Sequence, residues 1–242
     1  MNNLTYVGSE IPYVGSELEK AALALNWKAY FGRLLFKYVG GDVLEVGAGM
    51  GSTTLSLCKC NHKRWVCLEP DPELAKKIAA LRESRELPGS FDIRVGTLED
   101  LDEHEKFDTI TYIDVLEHIE DDAREARAAA DRLRRGGHLI VLSPAYPALY
   151  TPFDAGIGHY RRYTRQSLSR VVPDDLKVRE LFYADSIGAI ATLSNRYVLK
   201  SAMPSRLQVL FWDRVLVRLS RLFDPLFLYR IGKTVIGVWQ KT

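Results

Sequence analysis

A short apolar strand that runs into three closely spaced glycines is the feature that most constrains the fold of this chain. Residues 43–46 (Val-Leu-Glu-Val) have the composition of a buried strand, and Gly47, Gly49 and Gly51 follow at alternate positions. Glycine lets the backbone turn tightly here and approach a ligand without a Cβ in the way. Ser52 then begins a predicted helix, whose first amides favour anionic groups. The segment therefore predicts a strand–turn–helix unit with a ligand at the turn.

The chain around this turn alternates short β-rich runs with helical patterns. The predicted strands are 42–46, 64–68, 91–95, 107–113, 138–143, 177–183 and 233–239. The predicted helices are 16–38, where Ser16 is the expected N-cap, 52–59, 71–85, 121–135 and 166–171. This alternation predicts an α/β fold with a parallel sheet and helices on both faces. Ligands of such sheets bind outside the carboxyl ends of the strands.

The length of 242 residues fits one domain, and no Gly/Ser-rich linker divides it. We expect a helical cap over residues 1–39, a ligand-binding core over 40–186, a helical insertion over 187–231 and a last strand within 232–242. Residues 144–164 are rich in Tyr, Pro and Gly and predict a long functional loop.

Composition and charge restrict the setting and the partners. Three cysteines argue against a disulfide framework, and neither a membrane-spanning run nor a secretory signal is visible, so we expect a cytoplasmic protein. The net charge of +2 is uneven: nine basic and two acidic residues give residues 196–242 a charge of +7, which leaves −5 for the rest. This uneven charge affects which partners the protein can bind and carries no information about its fold.

Glu69 is the second half of the ligand signal, because it ends the strand that follows the glycine turn. A carboxylate about 20 residues beyond the glycines can accept both ribose hydroxyls of an adenosine ligand. A nicotinamide fingerprint would read G-x-G-x-x-G. Here the third glycine comes one residue early, at Gly51, and Glu45 lies two residues before the first. This pattern resembles motif I of the class I S-adenosylmethionine-dependent methyltransferases.

Three further segments carry the resemblance. Residues 92–98 resemble the third strand and adenine-binding turn, with Thr97 where the family often has Asp; 107–119 resemble the fourth strand and the segment after it; and 136–140 resemble the glycine pair before strand five. The resemblance implies a Rossmann-like, doubly wound, seven-stranded sheet, mostly parallel, with an antiparallel last strand beside the sixth. It implies S-adenosylmethionine as cofactor and S-adenosylhomocysteine as product. The implied cofactor-binding residues are Glu45, Gly47, Ala48, Gly49, Gly51, Glu69, Pro70, Thr97, Leu98, Asp114 and Val115.

The chemistry that remains for the protein is positioning and proton removal, because a sulfonium methyl group is already activated. We therefore predict no metal site; the spacing of Cys58, Cys60, His62 and Cys67 matches no zinc pattern. Histidine suits the role of base, since its pKa is near neutral. His118 is one candidate, because in resembling enzymes an acid–His pair such as Glu117-His118 contacts substrate or cofactor. The alternative is that His118 only packs beneath the adenosine.

The segment Gly158-His159-Tyr160-Arg161-Arg162-Tyr163-Thr164 supplies the second candidate base, His159. It resembles a signature of uncharacterised bacterial methyltransferases. Tyr160, Arg161 and Arg162 are candidate substrate-binding residues, since a guanidinium binds a carboxylate or phosphate in bidentate fashion. The alternative is that the arginines tie the loop to acids such as Asp154.

The basic end of the chain has two interpretations. Arg214, Arg218 and Arg221 share one helical face, and leucines fall largely on another. We favour a lid or a homodimer helix that packs on the domain. The alternative is that residues 196–233 lie on a membrane or hold a lipid-like substrate.

Together these features predict an S-adenosylmethionine-dependent enzyme that methylates an O, N or C nucleophile of a small molecule, anionic or lipid-like. One alternative is a catalytically silent cofactor-binding regulator. Another is a nucleic-acid methyltransferase, but residues 114–117 (Asp-Val-Leu-Glu) replace the Asn/Asp-Pro-Pro-Tyr/Phe pocket of that class, and no RNA-binding module is present. We expect no nucleic-acid partner.

Overall fold

The computed structural model describes residues 4–7, 17–58, 62–84, 86–87, 91–198 and 205–242, with the side chains of 17 and 194–198 left out. A single mixed sheet forms the centre of the molecule. Its strands are β1 (Thr5–Tyr6), β2 (Gly41–Val46), β3 (His62–Glu69), β4 (Phe91–Val95), β5 (Phe107–Ile113), β6 (Leu133–Pro144), β7 (Leu176–Ala184) and β8 (Thr234–Lys241).

The strand order is β1-β4-β3-β2-β5-β6-β8-β7, and only β8 runs antiparallel to its neighbours. This confirms the predicted Rossmann-like sheet, in which the antiparallel last strand lies beside the sixth long strand. The sheet has eight described strands instead of seven, because β1 pairs with β4 through Thr5 and Tyr6. A two-residue strand is too short to show an alternating pattern, so the sequence analysis missed it.

Helices cover both faces of the sheet. They are α1 (Glu17–Ala22), α2 (Leu25–Leu35), α3 (Thr54–Leu57), α4 (Pro72–Glu83), α5 (Asp122–Arg132), α6 (Pro152–Gly156), α7 (Arg165–Val171), α8 (Ser186–Val198), α9 (Arg206–Phe211) and α10 (Val217–Leu226). One core joins α2 and α4 to the sheet, and a second core lies on the other face with α5 and α7. Both faces of the central strands are therefore buried, which explains their continuous apolar runs.

Three predicted elements differ in detail. The helix expected over 16–38 is interrupted between α1 and α2, where the amide of Leu25 donates to the carbonyl of Leu23, and its expected N-cap Ser16 lies outside the described residues. The helix after the glycine turn is shorter than expected. The loop 144–164 contains α6, whose start is a capping box formed by Thr151 and Asp154. That S/T-x-x-D/E spacing is a signal for the start of a helix, and it marks α6 in the sequence.

The helical insertion, defined here as α8 to α10, lies against α2 and attaches through two buried acids. Asp213 accepts hydrogen bonds from the amides of Asn26 (3.2 Å) and Trp27 (2.9 Å), at the start of α2. Asp224 accepts from the Tyr30 hydroxyl of α2 at 2.7 Å, and also from the amides of Asp185 and Ser186 at 2.8 and 2.9 Å, at the start of α8 within the insertion. Each carboxylate thus supplies an N-cap to another helix, a favourable place for negative charge.

None of the described helices combines the length and the apolar character that crossing a bilayer requires.

Candidate functional site

The glycine turn adopts a backbone that other residues cannot follow without strain. Gly47, Gly49 and Gly51 have φ of +65°, +57° and +77°. A Cβ on Gly47 would lie 2.6 Å from Cγ2 of Val115, and one on Gly51 would lie 2.9 Å from Cδ1 of Leu81. The turn is tied to β3, since the amides of Gly47 and Ala48 both donate to the carbonyl of Leu68. Two of the three glycines are therefore required by packing as well as by φ.

Glu69 lies directly against this turn. Its Oε2 accepts a hydrogen bond of 2.7 Å from the amide of Gly49, and its Oε1 accepts one of 3.0 Å from Asp71. Burial raises the pKa of Glu69 to about 7. Pro70 follows, and Asp71 then caps α4. The backbone thus orients the carboxylate beside the glycines, and each oxygen keeps a lone pair for a ligand. Its contact with ribose stays a prediction.

Glu45 is held beneath the turn. Its Oε2 accepts from the Thr54 hydroxyl at 2.8 Å and from the Trp65 indole at 2.9 Å. Its Oε1 is buried without a hydrogen-bond partner among the described residues. Burial raises the pKa of Glu45 to about 7. The carboxylate therefore joins β2, α3 and β3, and its cofactor contact stays a prediction.

The turn after β4 contains Thr97 and Leu98. The amide and hydroxyl of Thr97 each donate to Oδ2 of Asp100 at 2.8 Å. Leu98 is buried in the second core. The acid of this turn is therefore Asp100, three residues after the position where the family often has Asp. Its carboxylate caps the turn.

His118 and His159 come together although 41 residues separate them. Their ring centroids are 4.5 Å apart at an angle of 81°. Glu117 is fully buried, and its Oε1 lies 3.9 Å from Nε2 of His159. This oxygen has no hydrogen-bond partner among the described residues. The other oxygen of Glu117 accepts from Ser143 at 2.9 Å. We call Glu117, His118 and His159 the histidine cluster.

The histidine cluster is strongly desolvated. Burial, with help from His159, lowers the pKa of His118 to about 4. Burial raises the pKa of Glu117 well above its usual range, and the nearby charge of Asp114 adds to this effect. The three side chains offer ligand atoms within 4.8 Å of one another, so they could also hold a metal ion. The sequence positions 117, 118 and 159 alone do not predict this metal-binding geometry.

Asp154 orients His159 and binds Arg162. Its Oδ1 lies 3.1 Å from Nδ1 of His159, and Arg162 donates to both of its oxygens at 2.8 and 2.9 Å. These contacts and those of Thr151 lower the pKa of Asp154. Arg162 thus ties the loop to Asp154, the structural alternative considered above.

Arg161 and Tyr160 lie at the outer side of the same loop. Arg161 pairs with Asp122 at 2.7 Å and donates to the carbonyl of Glu120. Tyr160 is exposed, and its amide donates to the carbonyl of Glu117. Substrate contacts of Tyr160, Arg161 and Arg162 stay predictions.

Two lysines, Lys28 and Lys233, contribute positive charge to the surroundings of Asp114. Neither lysine was predicted from the sequence as part of the site. Asp114, with φ of +55°, follows β5. Its side chain is accessible, yet the surrounding protein desolvates its carboxylate and raises its pKa, and the neighbouring His159, Lys28 and Lys233 oppose that shift. Burial lowers the pKa of Lys28 to about 8. Lys28 lies in α2 and Lys233 precedes β8, so only the fold shows that both charges act on Asp114.

Comparisons with known proteins agree with this geometry. Residues 44–139 match the family model described as a methyltransferase domain. A ubiquinone biosynthesis O-methyltransferase of Xanthomonas euvesicatoria is 31% identical over 160 residues, which span 58% of this chain and 65% of that protein, less than two thirds of its length.

Solved structures share the fold at low identity. The N-methyltransferase NodS of Bradyrhizobium japonicum, solved with S-adenosylhomocysteine, has a TM-score of 0.54 and 15% identity, covering 93% of this chain and 86% of NodS. The [4+2]-cyclase SpnF has a TM-score of 0.60 and 14% identity, covering 96% and 99%. The fold thus carries more than one chemistry.

The glycine turn, the sheet order and these matches identify a class I methyltransferase fold. Residues 44–139 match a methyltransferase domain, and the relatives and the fold support the class I S-adenosylmethionine-dependent methyltransferase family. S-adenosylmethionine, the cofactor predicted for this chain, is the cofactor of that family.

Proposed function

We propose that this chain transfers the methyl group of S-adenosylmethionine to a hydroxyl of a small molecule. The observation that carries the proposal is the juxtaposition of two sites at the carboxyl ends of β2, β3 and β5. One is the glycine turn with Glu69 bonded to it at 2.7 Å, and the other is the histidine cluster beyond β5. The name of the Xanthomonas relative favours oxygen over the nitrogen and carbon acceptors that the sequence left open.

The cofactor would supply an electrophilic methyl group, and the chain would bind it, place the acceptor and remove a proton. Glycine amides and Glu69 would hold the adenosine and methionine parts. His159 is the proposed base: Asp154 lies 3.1 Å from Nδ1, so a proton on Nδ1 leaves the Nε2 lone pair free. Base assistance of this kind contributes about 10²–10⁴-fold. Arg161 and Tyr160, at the outer side of the loop, would contact the acceptor.

Alternatively, Nε2 of His159 could bind a metal ion. The buried Glu117 oxygen without a described partner, together with two imidazoles, is a ligand set that suits first-row transition metals. A bound metal would lower the pKa of an acceptor hydroxyl, and His159 would then be a ligand instead of a base. Activity after exhaustive dialysis against a chelator separates these uses. Retained activity supports the base, and loss restored by Zn²⁺ or Mn²⁺ supports the metal.

The proposal is tested first by calorimetric titration with S-adenosylmethionine and S-adenosylhomocysteine. Methyl transfer from cofactor with a tritiated methyl group is then measured on phenols, catechols and amphiphilic alcohols. His159→Asn should keep cofactor affinity and lose about 100-fold or more in kcat, whereas His104→Asn, at an exposed position, should change neither. Absence of affinity for both cofactor forms would overturn the proposal. Cofactor binding without transfer to any acceptor class would favour the silent regulator.

A further inference from the structure

The outer face of the helical insertion is apolar and exposed. α9, a π-helical segment (Trp212–Leu216) and α10 form one continuous helix over 206–226. One stripe of this helix consists of exposed apolar side chains spaced three or four residues apart: Leu207, Phe211, Val215, Leu219, Leu222 and Leu226. Leu207, Leu222 and Leu226 are 79%, 68% and 73% exposed. Exposed leucines at regular helical spacing form a continuous strip rather than scattered apolar residues.

The opposite face of the same helix is buried and partly polar. Val209, Asp213, Val217, Ser220 and Asp224 are all buried. Four of them lie two residues after a member of the exposed stripe, which is about 200° around a helix with 3.6 residues per turn. The helix is therefore docked by its capping acids, and its leucines point away from the protein.

A row of arginines borders the stripe. Segment 205–231 contains five arginines, at 206, 214, 218, 221 and 230, and its two acids, Asp213 and Asp224, are both buried. Arg214, Arg218 and Arg221 form no ion pair within the part of the chain that the structure describes. Arg218 donates a long hydrogen bond of 3.4 Å to Asn26. The outer surface of this segment therefore presents apolar and positive groups without exposed acids.

We infer that this face binds the surface of a bilayer that contains anionic lipids, with the helix lying in the plane of the interface. An apolar strip bordered by arginines has the arrangement of an interfacial helix. A second copy of the chain fits less well, because a two-fold contact would place the positive row against its own copy. Anionic headgroups supply the complementary charge, and acyl chains cover the leucines.

The docked side of the insertion reaches the candidate site. Lys233, which follows the insertion, lies 3.6 Å from the Trp212 ring centroid and 3.8 Å from Asp185, and its charge acts on Asp114. An amphiphile leaving the bilayer at this face would therefore meet the site from the side of the insertion. This consequence rests on the proposed function, whereas the binding to lipid does not.

The test is co-sedimentation of the full chain with extruded vesicles, without cofactor. Vesicles of phosphatidylcholine with one quarter phosphatidylglycerol are compared with pure phosphatidylcholine. Leu222→Ser/Leu226→Ser should weaken partitioning at least tenfold. Arg214→Gln/Arg218→Gln/Arg221→Gln should weaken binding to the anionic vesicles by roughly 100-fold. High salt should remove the preference for anionic vesicles.

Control variants test whether the losses belong to this face of the insertion. They change an exposed apolar residue and three exposed arginines elsewhere on the protein. Phe36→Ser changes an exposed apolar residue beyond the other end of α2. Arg124→Gln/Arg127→Gln/Arg135→Gln removes three exposed charges around α5, which packs on the opposite face of the sheet. Both should bind vesicles like the wild type. Circular dichroism and cofactor titration verify that each variant is folded.

No binding of the wild type to anionic vesicles would overturn the inference. So would equal losses in the control and insertion variants. Light scattering that shows a wild-type dimer, dissociated by Leu222→Ser/Leu226→Ser, would assign the face to a second copy instead. Cofactor affinity is measured in the same samples, so a failure of the proposed function is distinguishable from a failure of lipid binding.

Discussion

Replacement of Asp213 by alanine should destabilise the protein more than loss of one surface acid, because its carboxylate caps α2 from the distant insertion. It accepts from the amides of Asn26 and Trp27 and, at 2.7 Å, from the Asn26 side chain. The N-cap residue of α2 itself, Ala24, provides no side-chain cap. The substitution thus removes the acceptor for three donors at once.

The magnitude follows from the bonds lost. An N-cap contributes typically about 1 kcal/mol, and a buried donor left without an acceptor costs about 1–3 kcal/mol. The buried donor is the Trp27 amide; the groups of Asn26 are partly exposed and can bind water. We therefore expect Asp213→Ala to lower the free energy of unfolding by about 2–4 kcal/mol. Asp213→Asn keeps an acceptor oxygen and should cost about half as much.

Urea unfolding followed by tryptophan fluorescence measures this change. Trp27 and Trp212 lie next to Asp213, with ring centroids 6.1 Å apart, and report on the same contact. Asp131→Ala, at an exposed position on α5, is the control and should change the free energy of unfolding by less than about 0.5 kcal/mol. If Asp213→Ala unfolds at the same urea concentration as this control, the capping interpretation is refuted.

Three further predictions concern the site. Burial raises the pKa of Glu45 from 4.5 to about 7, so its contribution to stability is present below pH 4.5 and is lost as the pH rises through 7. Between pH 5 and 8, the free energy of unfolding of Glu45→Gln should therefore rise by about 2 kcal/mol relative to that of the wild type, as measured by urea titrations. A difference that does not depend on pH would contradict this. Gly47→Ala meets both a φ of +65° and Val115 at 2.6 Å, so cofactor affinity should fall at least tenfold by calorimetry. Gly136→Ala, with a φ of +81° and open space around its Cβ, isolates the backbone strain and should leave that affinity unchanged. Asp154→Asn should lower kcat by about 100-fold with an unchanged cofactor Kd, and a matching loss of cofactor affinity would assign Asp154 a purely structural role.

The sequence was sufficient for the sheet and for the cofactor turn because both depend on local patterns. The central strands contain apolar runs bounded by turn residues, and the glycines of the turn occupy positions where φ is positive. The two-residue β1 and the break before α2 are too short to produce a recognisable pattern of apolar and polar residues.

The docking of the insertion could not be predicted, because it depends on contacts between distant parts of the chain. Asp213 and Trp27 are separated by 186 residues, and nothing in the helical pattern marks an aspartate as a cap for another helix. The helical pattern favoured a lid or a homodimer helix whose apolar face, from Leu207 to Leu222, packs on the domain. In the structure, Leu207, Leu219 and Leu222 are exposed and do not pack on this domain. The same reasoning applies to Lys28 and Lys233, which only the fold brings to Asp114.

The position of β8 between β6 and β7 affects the order in which this protein can fold during synthesis. β7 joins the sheet only through β8, and the helical insertion separates these two strands along the chain. Until residues 234–241 are made, β6 presents an open edge to other nascent chains. A ribosome that stalls within the insertion would therefore leave a six-stranded sheet, from β1 to β6, with β6 as an unpaired edge. Synthesis of β8 pairs this edge and at the same time joins β7 to the sheet.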